Sequence, residues 1–68
     1  MIKLKQLKKG ELFLRKEPKD DQNVSASSVW VRGEYVPSER KYSCYKWDDV
    51  NHESFLKGDK LVFVEFYF

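Results

Sequence analysis

The last eight residues of the chain, Leu61 to Phe68, are bulky and apolar at every position except Glu65. Side chains alternate along a strand, so Val62, Val64, Phe66 and Phe68 form one row and Leu61, Phe63 and Tyr67 form the other. One apolar row is what a core requires; two rows require two covers. The interior supplies the first, and a folded-back loop, a second copy or a partner must supply the second. With only 68 residues the demand is acute, because a domain of about 60 residues buries only ~60% of its unfolded surface. The aromatic content, 16%, still supplies large buried areas per residue and sets the chain apart from disordered sequences.

Cys44 is the single cysteine, so no internal disulfide can form, and a secreted domain this small would normally carry several. This predicts a reducing, cytoplasmic setting. The opening Met1-Ile2-Lys3-Leu4-Lys5 mixes charge with apolar residues and lacks the form of a signal peptide. No apolar run is long enough to span a bilayer, so no membrane association is expected. The net charge of +2 is unevenly placed: residues 1–19 hold seven Lys or Arg against two Glu, and the remainder is acidic. A basic end can steer an anion, although lysines more often only solvate a surface.

Hydrophobic alternation and turn chemistry predict one β-rich domain over residues 1–68, either a small antiparallel sheet or an SH3-like, partly closed barrel of four to five strands. Ile2 and Leu4 open a short strand, and Lys8-Lys9-Gly10 makes a turn. Leu12 and Leu14 then face inward and Phe13 outward. Residues 16–28 are polar and Ser-rich with one proline, which predicts a flexible loop. Val29 to Val36 reads as the best internal strand, with Gly33 marking a bulge or a close backbone approach. Pro37 to Arg40 turns the chain, and Lys41 to Trp47 returns as a hairpin. Asp48 and Asp49 are helix-capping residues, so one short helical turn is expected before Leu56, followed by a turn and the final strand.

The strings Gly33-Glu34-Tyr35, Lys41-Tyr42-Ser43-Cys44, Asp48-Asp49-Val50-Asn51 and Phe55-Leu56-Lys57-Gly58 fall within residues 33–58 and carry a likeness that extends over nearly the whole chain. In them the chain resembles small uncharacterised bacterial proteins of similar length, of the sort found near mobile elements or phage genes. The resemblance implies no activity, cofactor or site residue.

With Val31, Tyr35, Tyr42 and Cys44 facing inward, strict alternation turns Trp30, Arg32, Glu34, Tyr45 and Trp47 outward. Phe13, Phe63, Tyr67 and Arg15 join them in a second, aromatic face. Trp, Tyr and Arg anchors dominate protein interfaces, so the expected function is a non-enzymatic binding module that contacts a protein partner or a second copy of itself. The alternative is single-stranded nucleic acid, with bases stacked on the rings and phosphates held by the arginines. The bland reading is that the loop at 16–28 or the curvature of the sheet simply covers this face. The candidate binding residues are Arg15, Trp30, Arg32, Tyr45, Trp47, Phe63 and Tyr67.

Asp48, Asp49, His52 and Glu53 are close enough on one helical turn to share an ion, but capping explains them more simply, and no metal or other cofactor is expected. Cys44 would need a base such as His52 beside it and a low thiol pKa to act as a nucleophile. No glycine-rich phosphate loop or nucleophile elbow is present, so neither a catalytic residue nor a small-molecule substrate is expected.

Overall fold

The computed structural model describes residues 1–17 and 24–66. Six strands run in chain order: β1 (Ile2–Lys3), β2 (Leu12–Leu14), β3 (Val29–Val36), β4 (Lys41–Lys46), β5 (Asp49–Leu56) and β6 (Leu61–Val62). Among the described residues they form an antiparallel four-stranded sheet, ordered β2-β3-β4-β5, and a two-stranded sheet of β1 with β6. The architecture is mainly β, as the alternation predicts. It is an open sheet with a small second sheet and not a closed barrel.

The long hairpin forms at the expected place. Val36 pairs with Lys41 and Tyr35 with Tyr42 across the Pro37–Arg40 turn. Two residues further, the register shifts. Arg32 pairs with Cys44, so β3 places three steps against two on β4, and Gly33 with Glu34 faces Ser43 alone. That is a bulge, and only glycine fits in it. A Cβ on Gly33 would lie 2.3 Å from the Ser43 carbonyl oxygen, a backbone atom with nowhere to go. Gly10, at φ 92, turns the chain before β2, where its amide donates to the Arg32 carbonyl at 2.8 Å.

The bulge corrects the expected division of faces. Directly paired residues share a face, so Phe13, Trp30 and Lys46 lie together, as do Arg32, Cys44 and Ser54. Trp30 therefore points into the core with Cys44, and Tyr35 moves onto the Tyr42 side at the far end, where it is exposed. Val31 pairs with Tyr45 on the opposite face. Phe13, expected outside, is fully buried.

The core joins Leu4, Leu7, Phe13, Trp30, Cys44, Leu56 and Val62. Complete burial of Phe13, Leu4 and Val62 contributes roughly 1.5–3 kcal/mol each. On the other face Leu14, Val29 and Val31 are also buried, so both sides of β2 and of the start of β3 are covered.

The final segment departs from the expected eight-residue strand. Leu61 and Val62 pair with β1, after which Phe63 crosses to exchange two hydrogen bonds with Leu14 of β2, at 2.8 and 2.9 Å. The segment thus sutures the two sheets. Val62 is buried and Val64 packs on the core, in line with the predicted row, whereas Leu61 is exposed. Phe68, like Tyr67, lies outside the described residues.

No helical turn forms over Asp48–Leu56. Asp49 does act locally as a cap would, accepting from the Asn51 amide at 3.2 Å. The chain then enters a second irregularity: Lys46 pairs with Asp49 but Tyr45 with Glu53, which leaves Val50, Asn51 and His52 extra on β5. Pairing Glu53–Leu56 with Tyr42–Tyr45 satisfies backbone groups of β4 that a lone helical turn would leave open. The helical turns occur elsewhere, as short 3-10 segments at Leu4–Gln6 and Ala26–Ser28. The second lies within the predicted loop, and residues 18–23 of that loop are outside the described set.

Gly33→Ala is expected to lower stability by about 2 kcal/mol or more, because the added methyl meets fixed backbone and must displace β4. Urea unfolding followed by circular dichroism measures this. An unchanged midpoint would show that the bulge relaxes freely.

Candidate binding surface

Of the seven side chains expected to form one face, the six that the structure describes do not come together. Trp30 is 6% exposed, and its ring is already occupied, with the Arg15 guanidinium 5.4 Å from its centroid and the His52 ring edge-on at 5.7 Å. Arg32 lies over the Tyr42 ring at 4.1 Å, and one terminal nitrogen donates to the Gly33 carbonyl at 3.0 Å. Such partly desolvated cation–π contacts stabilise by about 0.5–2 kcal/mol. Tyr45 is half-buried opposite Val31 and Glu53, on the face away from Trp30. Phe63 is half-buried at its bridge to Leu14. Trp47, in the β4–β5 turn, is 48% exposed, and its amide donates to the Val29 carbonyl at 2.9 Å. Tyr67 lies outside the described residues. The expected face is therefore divided between the core, the opposite side of the sheet and the tip of the hairpin.

A different surface is assembled at the other end of the long hairpin. Tyr35 and Tyr42 pair across β3 and β4 with ring centroids 5.0 Å apart in an edge-to-face contact. With Arg32 stacked on its far partner, the Tyr35 ring is braced from behind, and it remains 47% exposed. An open groove of about 580 Å³ runs beside it, lined also by Lys5, Arg40, Lys41 and Lys57. An adjoining groove of about 380 Å³ holds Phe55, 46% exposed, with Lys41, Lys57 and Lys60. The two grooves share Lys41, Lys57 and Asp59.

Three parts of the chain converge here. The Pro37–Arg40 turn delivers Arg40 and Lys41, and the turn after β5 delivers Lys57 to Lys60. The 3-10 segment after β1 delivers Lys5, whose amide donates to the Gly58 carbonyl at 3.0 Å. Arg40 adopts φ 55, a left-handed conformation that a side chain with a Cβ takes at a cost of roughly 1–2 kcal/mol. The grooves hold five cations against the carboxylates of Glu39 and Asp59. Asp59 is committed: Lys5 at 3.2 Å and Lys3 at 3.7 Å bind it. The Lys5 hydrogen bond and charge hold its carboxyl below the usual aspartate range, so it stays anionic and its charge is offset. Among the described residues none of Arg40, Lys41, Lys57 and Lys60 is held in an ion pair.

The basic amino-terminal segment is thus partly spent within the molecule. Lys3 and Lys5 go to Asp59, Lys9 pairs with Glu34, and Arg15 covers Trp30. The groove cations other than Lys5 come from the acidic part of the sequence. Composition hid them, but the four-residue turn was a usable signal, since it sets Tyr35 opposite Tyr42 and Lys41 next to both.

The other chemical candidates separate in space. Asp49 caps Asn51, Glu53 accepts from the Ser43 hydroxyl at 2.5 Å, and His52 abuts Trp30. Among the described residues no three His, Cys, Asp or Glu side chains gather as a metal site would require. Cys44 is fully buried, and burial pushes its thiol above the ordinary value of 9.0, the reverse of an activated nucleophile. No helix among the described residues is long and apolar enough to cross a membrane. Comparison with protein-family models, curated proteins and solved structures finds no match to this chain.

Cys44 is expected to resist alkylation by iodoacetamide in the native protein and to react at once in denaturant. Because its folded pKa is raised, its contribution to stability is complete below pH ~9 and is lost as pH rises further, when only the unfolded thiol ionises. A Cys44→Ala variant should show a flatter decline in melting temperature over that alkaline range; an equal decline would assign it to other groups.

Proposed function

We propose that the protein is a non-enzymatic binding module of the cytoplasm, and that its ligand is a polyanion held in the paired grooves around Tyr35 and Phe55. One observation carries this reading: two adjoining grooves, each with one half-exposed aromatic ring, are lined by Arg40, Lys41, Lys57 and Lys60, four cations that no carboxylate among the described residues holds in an ion pair. An apolar protein interface core is depleted in charge, lysine above all, whereas a phosphate or sulfate chain is drawn to such a rim.

Arg40 adds a second, conformational argument. A turn residue at φ 55 would be less costly as glycine, so a large cation there sacrifices stability for its side chain. Arg40→Gly is therefore expected to keep or raise the melting temperature while weakening binding to immobilised heparin, a generic polyanion. Lys41→Glu with Lys57→Glu should elute from the same matrix at markedly lower salt than the native protein. Elution of all three at the same salt would refute the site.

A second reading rests on β5, whose outer edge has no strand partner among the described residues and which exposes Val50 and Phe55. Pairing of two copies through this edge is the self-association expected of an uncovered strand. The Val50–His52 irregularity and the acidic Asp49 and Glu53 oppose it, since bulges and charges are how edges are kept apart. Sedimentation over a hundredfold concentration range decides: a dimer supports the edge reading, and a monomer throughout removes it.

A further inference from the structure

Building on the polyanion reading, we propose that the ligand is an extended acidic peptide that adds a further strand along the outer edge of β5. One of its side chains packs on Phe55, and its carboxylates meet Lys57 and Lys60. The position of the smaller groove carries this. β5 ends the order β2-β3-β4-β5, and its outer edge has no strand partner among the described residues. The smaller groove lies at the carboxyl-terminal end of this strand, lined by Phe55, Leu56, Lys57, Lys60 and Lys41. An open backbone edge and a cationic groove therefore occupy the same place.

The register fixes which side chains stand together. Phe55 pairs with Ser43, so both lie on the face opposite Tyr42 and Leu56. One further step of the same ladder sets Lys57 against Lys41, on the Phe55 face. An added strand alternates in the same way, so its residue opposite Phe55 and the residue two positions away, opposite Lys57, fall on that face together. An apolar residue with acids at alternate positions to one side of it is the complement. Asp59 also lines this groove, but its charge is offset by Lys3 and Lys5.

Edges are ordinarily guarded, and β5 is guarded at its start. Asp49, the Val50–His52 irregularity and Glu53 oppose pairing there. From Glu53 to Leu56 the ladder with β4 is regular, one residue against one. Alternate residues of such a run turn their N–H and C=O groups away from β4, in the spacing that another strand requires. Main-chain bonds then give the contact its affinity, and the groove selects the side chains. With Phe55 and the backbone edge at the centre and the lysines around them, the charge lies at the rim, where protein interfaces carry it.

Other occupants use only part of this arrangement. A nucleic acid or a sulfated polysaccharide answers the lysines but has no strand-spaced N–H and C=O groups for the edge. An uncharged strand fits the edge and leaves the lysines without an anion. A second copy offers from its own regular run only Glu53, already held by the Ser43 hydroxyl at 2.5 Å, against three lysines.

The test uses the full chain and a fluorescein-labelled peptide of about eight residues, with glutamates at alternate positions beside one leucine, in both sequence directions. Two further forms carry backbone N-methyl groups on the odd or on the even residues, which removes donors and keeps the charge. By fluorescence anisotropy at low salt, one methylated form should bind about tenfold more weakly than the unmodified peptide and the other equally well. Phe55→Ala should weaken the unmodified peptide about fivefold, and Lys57→Glu with Lys60→Glu about tenfold. Phe55 lies outside the core cluster, and the methylation comparison uses the native protein throughout. In amide hydrogen exchange, two of the four amides from Glu53 to Leu56 should gain protection when the peptide is bound. Equal binding of all three peptide forms, no gain in protection, or a dimer in sedimentation that the peptide does not dissociate overturns strand addition while the polyanion reading stands. Failure to bind either the peptides or heparin overturns both.

Discussion

The single extra residue in β3, where Gly33 and Glu34 oppose Ser43, is the constraint from which the arrangement of this molecule follows. A strand has a period of two, so one inserted residue exchanges the faces of everything beyond it. Before the bulge, Trp30 and Arg32 share the face of Phe13 and Cys44 and enter or border the core. After it, Tyr35 joins that same face at the far end, beside Tyr42, where the core has run out. Without the bulge, Trp30 and Tyr35 would lie on opposite sides. With it, one aromatic ring completes the interior and the other is offered to solvent on a braced support.

The abundance of large apolar residues is accommodated in two ways. Both faces of β2 and of the start of β3 are buried, so Trp30 and Phe13 are consumed on one side and Val29, Val31 and Leu14 on the other. The carboxyl-terminal segment then leaves β1 at Val62 and crosses to β2 at Phe63, which ties the two sheets together at the cost of a long regular strand. Apart from Met1 and Leu61, the large apolar side chains left exposed among the described residues lie at the hairpin ends and the β5 edge: Trp47 and Val50 at one end, Tyr35 and Phe55 at the other. The second of these sites also gathers cations that are in no ion pair among the described residues, and that combination distinguishes it from ordinary surface.

Electrostatics refines the same picture. Lysines near the amino terminus dominate the linear charge map, yet Lys3, Lys5 and Lys9 are answered by Asp59 and Glu34, both of whose carboxyls are held below their usual range. Exposed pairs of this kind contribute little to stability. Their larger effect is on the field: they neutralise one basic region and leave Arg40, Lys41, Lys57 and Lys60 as the groove cations without an ion pair among the described residues.

Much of the fold was legible from residue order. The β class, the hairpin from Val29 to Lys46, the Gly10 and Pro37–Arg40 turns and the special position of Gly33 all follow from local chemistry: β-branched and aromatic runs, a missing Cβ, a ring that presets φ. The burial of Cys44 follows in the same way. Strict alternation fails where pairing is not one-to-one, at Gly33 and at Val50–His52, which is why it puts Trp30 on the wrong side and why the capping signal at Asp49 does not lead into a helix. Those outcomes depend on which strand lies alongside, because a bulge is a property of two strands and an unpaired β4 edge recruits β5 whatever its local preference. Residue order determined that this chain makes an antiparallel sheet with more rings than an ordinary surface would show. Only the three-dimensional pairing decided which rings fill the interior and which stand among free cations, since register and ion pairing are set by residues far apart in the chain.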